Sequence, residues 1–378
     1  MNLLGIHLNI LIGPGPVTAP ASIRLLDCLQ EIEVKHTDEG RSGFKLVFKS
    51  GRSGPMDLAD DPLLNDPQLM VRSRVVLTAM FGVVPTVISD GIITNLQISP
   101  GSEGQPTTVE VAGEDLSLLM DLEEKVEEHP AQPMPVIFAK IIATYMTHGL
   151  VPMLIPPLSL DIPNPVERIP VQRETDLDYI NKIKPPDYIF AILPGPLPMV
   201  STAYLGPPVR LSLPQRAITV NMAHATNASG VTFNYDSAQP TQVTGQVQDR
   251  TTGTSVTASS AVSNAVPLST SQPTSSPDSR TTLLRETQGM TASQAFAYAQ
   301  SQSDQSSHAL TVEGELDALA YGGALVARGL VGLRGAGMKH DGMYYVKEVT
   351  HNIKAGAYSQ KFKLTRQGHG TTTPVVVP

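Results

Sequence analysis

The sequence predicts a mainly β protein of the α+β class, with an α/β insertion between two β regions. Of its 378 residues only 16% are charged and 5% are aromatic, while 32 are Pro and 30 are Gly. Soluble proteins usually contain about 25% charged residues, so few long solvated helices are expected here. Alternating polar and apolar runs recur towards both ends of the chain, which is the pattern of half-buried strands.

Residues 1–113 are predicted to form the first β domain. Four runs within them alternate polar and apolar residues, and turn clusters such as 39–43 separate the runs. Several short strands at this spacing favour a sandwich or a small barrel. The four runs are 31–35, 44–48, 92–98 and 109–111.

Residues 114–210 are predicted to form a smaller α/β domain. An amphipathic helix is expected at 115–128, with acidic residues on its solvated face and an end before Pro130. Apolar residues recur at helical spacing from 136 to 147, and a glycine follows at the position of a helix C-cap. A third, short helix at 175–183 is expected to be capped by Thr175 or Asp176. A strand is expected at 188–193 and a turn at 204–208.

Residues 211–250 and 309–378 are predicted to form a second β domain, which ends in a long hairpin around 354–357. The segment 251–308 between them is rich in Ser, Thr and Gln. Because 251–280 has few large apolar residues to offset the entropy of ordering, a flexible linker or exposed loop is expected there. Thr291 and Gln294 have capping-box spacing and predict a short helix near 291–303.

Composition excludes several classes of protein. The net charge of −8 and the lack of any basic run argue against a nucleic-acid binder. Cys28 is the only cysteine, which excludes an intrachain disulfide and a cysteine zinc site. The apolar N-terminus lacks a basic segment before it, so a signal peptide is not expected. No apolar run approaches the roughly 20 residues that span a bilayer.

A search for catalytic patterns assigns no catalytic, cofactor-binding or metal-binding residue, and no cofactor. Ser42 and Lys45 have the spacing of a serine with a lysine base, but they lie in a turn that leads into a strand. The glycines of Gly335-Ala336-Gly337 lack the third glycine of a dinucleotide-binding loop and predict a turn. Cys28 lies in an apolar segment, where burial as a small hydrophobe is expected.

Other polar patterns also have simple structural interpretations. Glu123, Glu124, Glu127 and Glu128 predict a solvated helix face rather than a cation site. His340 is expected in a turn, and His351 is expected to pack or hydrogen-bond within its sheet because no carboxylate lies at ligand spacing. The glycosylation sequon at 227–229 is expected to be an ordinary loop. A chain of this size without an assembled catalytic set is expected to be a structural component and not an enzyme.

Four segments, in order, resemble the late control protein D family of contractile phage tails. This family includes the N-terminal hub region of VgrG proteins and the baseplate hubs of extracellular contractile injection systems. The resemblance covers about nine tenths of the chain. The segments are Asp90-Gly91-Ile92-Ile93-Thr94 before Glu114-Asp115-Leu116, the helix at 137–145, Thr175-Asp176 before Tyr204-Leu205-Gly206-Pro207-Pro208, and Gly335-Ala336-Gly337 before Tyr344-Tyr345-Val346, His351 and the strand at 358–366.

The resemblance implies two hub-type β-barrel domains beside a smaller α/β domain, with 251–308 as an excursion from the second barrel. Three copies would place six barrels in a ring, which matches a hexameric tube on one face and a trimeric spike on the other. The sequence ends at Pro378, soon after the closing hairpin, so the spike is expected to be a separate protein.

The function predicted from the resemblance is a structural baseplate hub of a contractile injection system, acting as a homotrimer. Its expected partners are the inner tube protein, a separate spike protein and baseplate wedge components, with no nucleic acid and no membrane span. Cytoplasmic assembly is expected, followed by incorporation into a phage tail-like particle that an extracellular system releases. A hub of a phage tail or type VI apparatus is the alternative within this class. A β-rich hydrolase or a carbohydrate-binding module is the alternative outside it.

Overall fold

The computed structural model describes most of the chain, and the fold below refers to these residues. They are 2–3, 6–15, 17–50, 63, 66–82, 84–100, 106–157, 160, 162–210, 212–249, 252–260, 266–271, 280–285 and 290–372.

The first part of the chain forms strands around one hydrophobic core, as the alternating runs predict. Along β4 the apolar residues Ile32 and Val34 face this core, while Glu33 and Lys35 face solvent. Ser22 caps the one short helix by accepting a hydrogen bond from the backbone N–H of Leu25. The elements are β1 (Asn2–Leu3), β2 (Ile6–Pro14), β3 (Ala19–Pro20), α1 (Ile23–Cys28), β4 (Leu29–Thr37), β5 (Gly43–Ser50), β6 (Ser73–Phe81), β7 (Val84–Ser99) and β8 (Thr107–Asp115).

The middle of the chain, called here the α/β part, packs two helices against small sheets. Thr175 caps the second of these helices through its side chain, which confirms one of the two predicted caps. Gly149 is the C-cap of the 3₁₀ helix Met146–His148, with a φ of 81°, as expected of a glycine at the end of a helix. The elements are a 3₁₀ helix (Leu116–Asp121), β9 (Glu124–Glu128), α2 (Met134–Ala143), a second 3₁₀ helix (Met146–His148), β10 (Leu150–Leu154), β11 (Val171–Thr175), α3 (Asp176–Ile183), β12 (Ile189–Pro194) and β13 (Ser201–Gly206).

The helix predicted at 115–128 is wrong. Asp115 caps a 3₁₀ helix of six residues, and the acidic segment that follows is β9. β9 pairs antiparallel with β11, from Glu124–Thr175 to Glu128–Val171. The backbone of β11 thus supplies the hydrogen bonds that a helix would have made internally, and nothing in the local sequence reveals so distant a partner.

The last part of the chain contains the predicted hairpin and the predicted helix. Thr291 and Gln294 form the capping box of α4, and the closing hairpin buries Phe362 and Leu364 on one face. The elements are β14 (Gln215–Thr219), a 3₁₀ helix (Ala223–Ala225), β15 (Ala228–Tyr235), β16 (Thr241–Gln248), β17 (Ser255–Ser259), β18 (Arg280–Leu283), α4 (Ala292–Ser306), β19 (Leu310–Asp317), α5 (Ala318–Tyr321), β20 (Leu330–Arg334), β21 (Gly342–Lys354) and β22 (Ala357–Arg366).

The expectation of a flexible linker or exposed loop at 251–280 is corrected in part, for the residues that the structure describes. β17 pairs with β16, and Ala258 is buried with Ala295 and Ala299 of α4, while the rest of β17 is exposed. Leu268 is also buried, against Leu330 and Tyr345. A strand forms in this Ser- and Thr-rich segment because β16 and α4 provide partners that composition does not disclose. The remainder of 251–280 lies outside the described residues.

The two β regions join into one 14-stranded sheet, whose main order is β1-β2-β6-β7-β8-β5-β4-β21-β22-β19-β15. The expectation of two barrels is therefore corrected: the strands that the structure describes do not close into barrels. The physical reason is β21, which pairs with β20 near its start and with β4 from Glu348–Thr37 to Lys354–Glu31. One long strand thus belongs to both halves. Each half curves around its own hydrophobic core.

Candidate functional site

Asp90, in the first segment of the family resemblance, anchors a buried ion pair. Its carboxylate accepts hydrogen bonds from Arg74 Nε at 2.7 Å and Arg74 Nη2 at 2.6 Å. Ser201 Oγ donates to the same carboxylate at 2.9 Å, and Arg74 Nη1 donates to the His148 carbonyl at 3.0 Å. The two charged side chains are 4% and 1% exposed. The pair therefore connects β6 and β7 to the α/β part.

His351, in the closing segment of the resemblance, is a packing residue. Its Nδ1 lies 3.0 Å from the Tyr358 hydroxyl, and its ring packs edge-on against His36 with 5.9 Å between the ring centroids. Burial, together with His36, lowers the pKa of His351 to about 3, so the ring is neutral at physiological pH. These contacts confirm the prediction that His351 packs and hydrogen-bonds within its sheet.

The residues with serine–lysine spacing do not meet. Ser42 is buried, and its Oγ accepts a hydrogen bond from Arg328 Nη2 at 3.2 Å. Lys45 instead forms an ion pair with Glu110 at 2.7 Å on the neighbouring strand. Cys28 ends α1 and lies partly buried against the first core.

The remaining sequence candidates are also parts of local structure. Glu127 pairs with Lys140, and the described residues hold no group of three or more His, Cys, Asp or Glu that could bind a metal. Ala336, between the two glycines, donates its N–H to Asp341 Oδ1 at 2.8 Å within the predicted turn. The sequon residue Asn227 bonds the backbone of β14 through both its side-chain oxygen and its nitrogen.

A cleft of about 1900 Å³ lies between the α/β part and α4. One wall consists of β12 with Tyr188 before it, and the facing wall is α4, whose Phe296 is 45% exposed. Proline pairs at 156–157, 185–186 and 207–208 complete the rim. The β12 wall and the proline rim are therefore largely apolar, whereas α4 also contributes polar side chains such as Gln294 and Ser301. We call this cavity the cleft.

Arg210 and His308 lie together in the lining of the cleft. Arg210 follows the proline pair after β13, is 8% exposed, and donates from Nη2 to His308 Nε2 at 2.8 Å. Arg210 Nη1 and His308 Nδ1 are buried without a hydrogen-bond partner. Burial lowers the pKa of Arg210. Burial and the Arg210 charge lower the pKa of His308 to about 3, which keeps its ring neutral.

Tyr345 and Asp38 extend this polar lining. Both residues line the cleft, with the Tyr345 hydroxyl and Asp38 Oδ1 buried. Burial raises the pKa of Asp38 to about 6, although nearby Lys347 opposes the shift. Burial raises the pKa of Tyr345 well above its ordinary value, and the charge and a side-chain hydrogen bond of Asp38 act in the same direction. Tyr345 and Asp38 are therefore partners of each other, and the unpaired donors of the cleft are Arg210 Nη1 and His308 Nδ1.

Sequence reasoning did not identify this cleft. The sequence motifs contain Tyr345, but they contain neither Arg210 nor His308. Arg210 and His308 are 98 residues apart along the chain. The available signal was an arginine placed directly after Pro207-Pro208-Val209, in an otherwise apolar segment.

A second surface, called here the apolar end, carries exposed hydrophobic side chains. Val17, Met70, Val71 and Met146 are each more than half exposed. They lie on adjoining segments: Val17 follows β2, and Met70 and Val71 precede β6, with which β2 pairs at Pro14–Ser73. Met146 belongs to the 3₁₀ helix that contacts β6 through the His148 carbonyl. Exposed apolar residues on adjoining segments are typical of protein contact surfaces.

Searches for membrane-spanning helices in the described residues and for related sequences were both negative. Within the described residues, no helix has both the length and the apolar character needed to cross a membrane. No protein-family model and no curated protein matches the sequence.

Solved structures share the fold over nearly the whole chain. The 43 kDa tail protein of prophage MuSo2 from Shewanella oneidensis matches with a TM-score of 0.64 at 10% identity, covering 96% of this chain and 99% of that one. A tail protein from Neisseria meningitidis MC58 matches with a TM-score of 0.63 at 10% identity, covering 95% and 96%. The E. coli c3393 protein matches with a TM-score of 0.54 at 13% identity, covering 93% and 77%.

The c3393 protein is a component of the type VI secretion system and is structurally similar to the T4 bacteriophage tail proteins gp27 and gp5. These identities are low, so the likeness concerns the fold. The chain has the fold of phage tail and type VI secretion proteins, as its resemblance to the baseplate hub family predicts.

Proposed function

We propose that the chain is a structural baseplate hub of a contractile injection system and has no catalytic role. The observation that carries this proposal is the fold likeness to tail proteins, which extends over 96% of this chain and 99% of its structural neighbour. An end-to-end match supports a role for the whole chain and not for one module of it. The neighbours include prophage tail and type VI proteins, so a hub of either apparatus is the second candidate.

In this proposal the hub is a homotrimer that adapts a hexameric inner tube to a trimeric spike. The proposed domains are 1–113, 114–210, 211–250 with 309–378, and the excursion 251–308. Two hydrophobic cores on one sheet support this arrangement, because three chains would then present six such units to a sixfold tube. Assembly in the cytoplasm and incorporation into a tail-like particle are parts of the same proposal.

The apolar end is the proposed contact with a neighbouring subunit of the particle. Val71 is 55% exposed there, and burying such side chains on assembly would contribute favourable free energy. Replacing Val71 with Asp would place a charge in the contact without altering a buried side chain. Leu213, which is 93% exposed and precedes β14, provides a matched control.

The test is sedimentation of a native lysate with a tagged chain, followed by negative-stain microscopy of the fast fraction and by subunit counting. We expect the chain to sediment with tube-and-sheath particles in three copies per particle. Val71→Asp should remain folded but leave the particle fraction, whereas Leu213→Asp should stay in it. A chain that remains near 40 kDa while such particles form without it would refute the proposal.

A further inference from the structure

We propose that the cleft binds an extended, acidic segment of a second protein, and that Arg210 holds its carboxylate. This inference deepens the proposed function in one respect, since the second protein is then another component of the same particle. Three features of the cleft support this: a buried arginine that forms no ion pair within the described residues, an unpaired donor beside it, and one largely apolar wall.

The protonation of His308 follows from its contact with Arg210. A guanidinium can only donate hydrogen bonds, so His308 Nε2 must be the acceptor in their 2.8 Å contact. A neutral ring that accepts at Nε2 carries its proton at Nδ1. His308 Nδ1 is therefore a donor without a partner, as Arg210 Nη1 is. The lining of the cleft thus offers two unpaired donors side by side.

Arg210 also lacks an acid that would neutralise it. Within the described residues its side-chain hydrogen bond goes to neutral His308, and Asp304 and Asp187 influence it only at longer range. A buried charge without a counter-ion is costly, and an unsatisfied buried donor adds to that cost. A carboxylate placed against Arg210 Nη1 would remove both costs and would form a charge-assisted hydrogen bond.

The rest of the cleft fits a polypeptide better than a small anion. Its volume of about 1900 Å³ exceeds the roughly 300–1,000 Å³ of ordinary small-molecule sites. Phe296 and the proline pairs offer apolar contacts for side chains. Gln294 and Gln302 of α4 also line the cleft, and side-chain amides suit the backbone groups of a peptide. Two unpaired donors, amide side chains and an apolar wall together match an extended segment with one acidic side chain.

The first experiment probes the carboxylate site in the intact free protein. Sodium acetate is titrated while the arginine Nε–Hε resonances are followed by NMR, with sodium chloride at matched ionic strength as reference. We expect a saturable shift with acetate that disappears in Arg210→Gln and persists in Arg168→Gln. Arg168 lines the same cleft but is exposed. The absence of a saturable shift, or an equal shift with chloride, would overturn the assignment.

Urea unfolding separates ligand binding from folding. Arg210→Gln removes a buried charge that forms no ion pair within the described residues, so the unfolding midpoint in urea should not fall. Acetate binding should nevertheless be lost. An unfolding midpoint that falls in Arg210→Gln while acetate still binds would show that the guanidinium serves the fold, which contradicts the proposal.

The second experiment identifies the occupant in the native lysate. Phe296 is replaced by photo-reactive benzoylphenylalanine, and crosslinked peptides are sequenced by mass spectrometry. We expect a segment of another protein that contains Asp or Glu, with crosslinking lost in Arg210→Gln and kept in Arg168→Gln. Crosslinks only to a second copy of this chain, or crosslinks that Arg210→Gln does not affect, would overturn the proposal. Sedimentation of the crosslinked species tests the hub function separately.

Discussion

Asp90→Ala should be among the most destabilising single substitutions outside the hydrophobic cores. Asp90 accepts three hydrogen bonds, two from Arg74 and one from Ser201. Removing its carboxylate leaves the Arg74 guanidinium charged and buried, with only the His148 carbonyl as a partner. The α/β part would also lose its ionic connection to β6 and β7.

The magnitude follows from the burial of the pair. Side chains that are 4% and 1% exposed receive little solvent screening. Breaking such a pair from one side typically costs about 3–5 kcal/mol. Total stabilities are about 5–15 kcal/mol, so the variant should lose at least about a fifth of the total. Replacing both partners, as in Arg74→Met with Asp90→Leu, should cost less than Asp90→Ala alone because no unpaired charge remains.

The free energy of unfolding can be measured from urea denaturation followed by tyrosine fluorescence, since the chain has 10 Tyr and no Trp. Glu313→Ala is the control, because Glu313 pairs with Lys363 at 3.0 Å on the exposed face of the sheet. That exposed pair should contribute less than about 1 kcal/mol. If Asp90→Ala costs no more than Glu313→Ala, the reasoning about the buried pair is refuted.

Three further predictions concern backbone, core and pH. Gly149→Ala should lower the free energy of unfolding in urea by more than about 1 kcal/mol. The reason is that φ is +81° and the added Cβ would lie 2.0 Å from a carbonyl oxygen. Gly356→Ala, with open space around the added Cβ, should lower it less. Phe362→Asp should prevent folding of the second half and entry into particles, whereas Lys361→Asp on the exposed face should not; normal particles from Phe362→Asp would contradict the packing. Burial and a nearby arginine charge lower the pKa of His36 to about 4 in the folded state. As the pH falls, His36 therefore takes up a proton in the unfolded state before it does so in the folded state. Stability should therefore fall, by about 3 kcal/mol from His36, as the pH decreases from about 6.5 to about 4; an unfolding midpoint that stays constant over this range would refute the assignment.

The strands could be predicted from sequence because alternation is a local signal. Ile32 and Val34 face the core whichever strands pair with β4, so their burial could be predicted without knowledge of those partner strands. Gly91 adds information of another kind. A Cβ at this position would lie 2.3 Å from the Glu114 carbonyl oxygen, so a family-like glycine marks the close approach of β7 and β8. The resemblance at 90–94 therefore reflects two contacts, the close approach of strands at Gly91 and the ion pair of Asp90.

Elements that depend on distant partners could not be predicted in this way. The segment at 124–128 has enough charge and apolar residues for a helix, and only its pairing with β11 makes it a strand. Arg210 and His308 meet across 98 residues, so their contact leaves no local pattern. Strand spacing favours a sandwich or a small barrel without deciding between them, and two barrels are implied only by the family resemblance. The length of β21, which merges the two sheet halves, decided against two barrels.

The joint between the halves is also where acid should act first. The two sheet halves meet at β21, which pairs with β4 on one side and β22 on the other. His36 and His351 both lie on this ladder, and their neutral rings pack together there. Protonating both would place like charges 5.9 Å apart in a buried seam, which is strongly unfavourable. Because these pKa values are lowered to about 4 for His36 and about 3 for His351, we expect acid to loosen the β4–β21 pairing before it unfolds either core, and hydrogen exchange of the β21 amides between pH 7 and pH 3 would show that order.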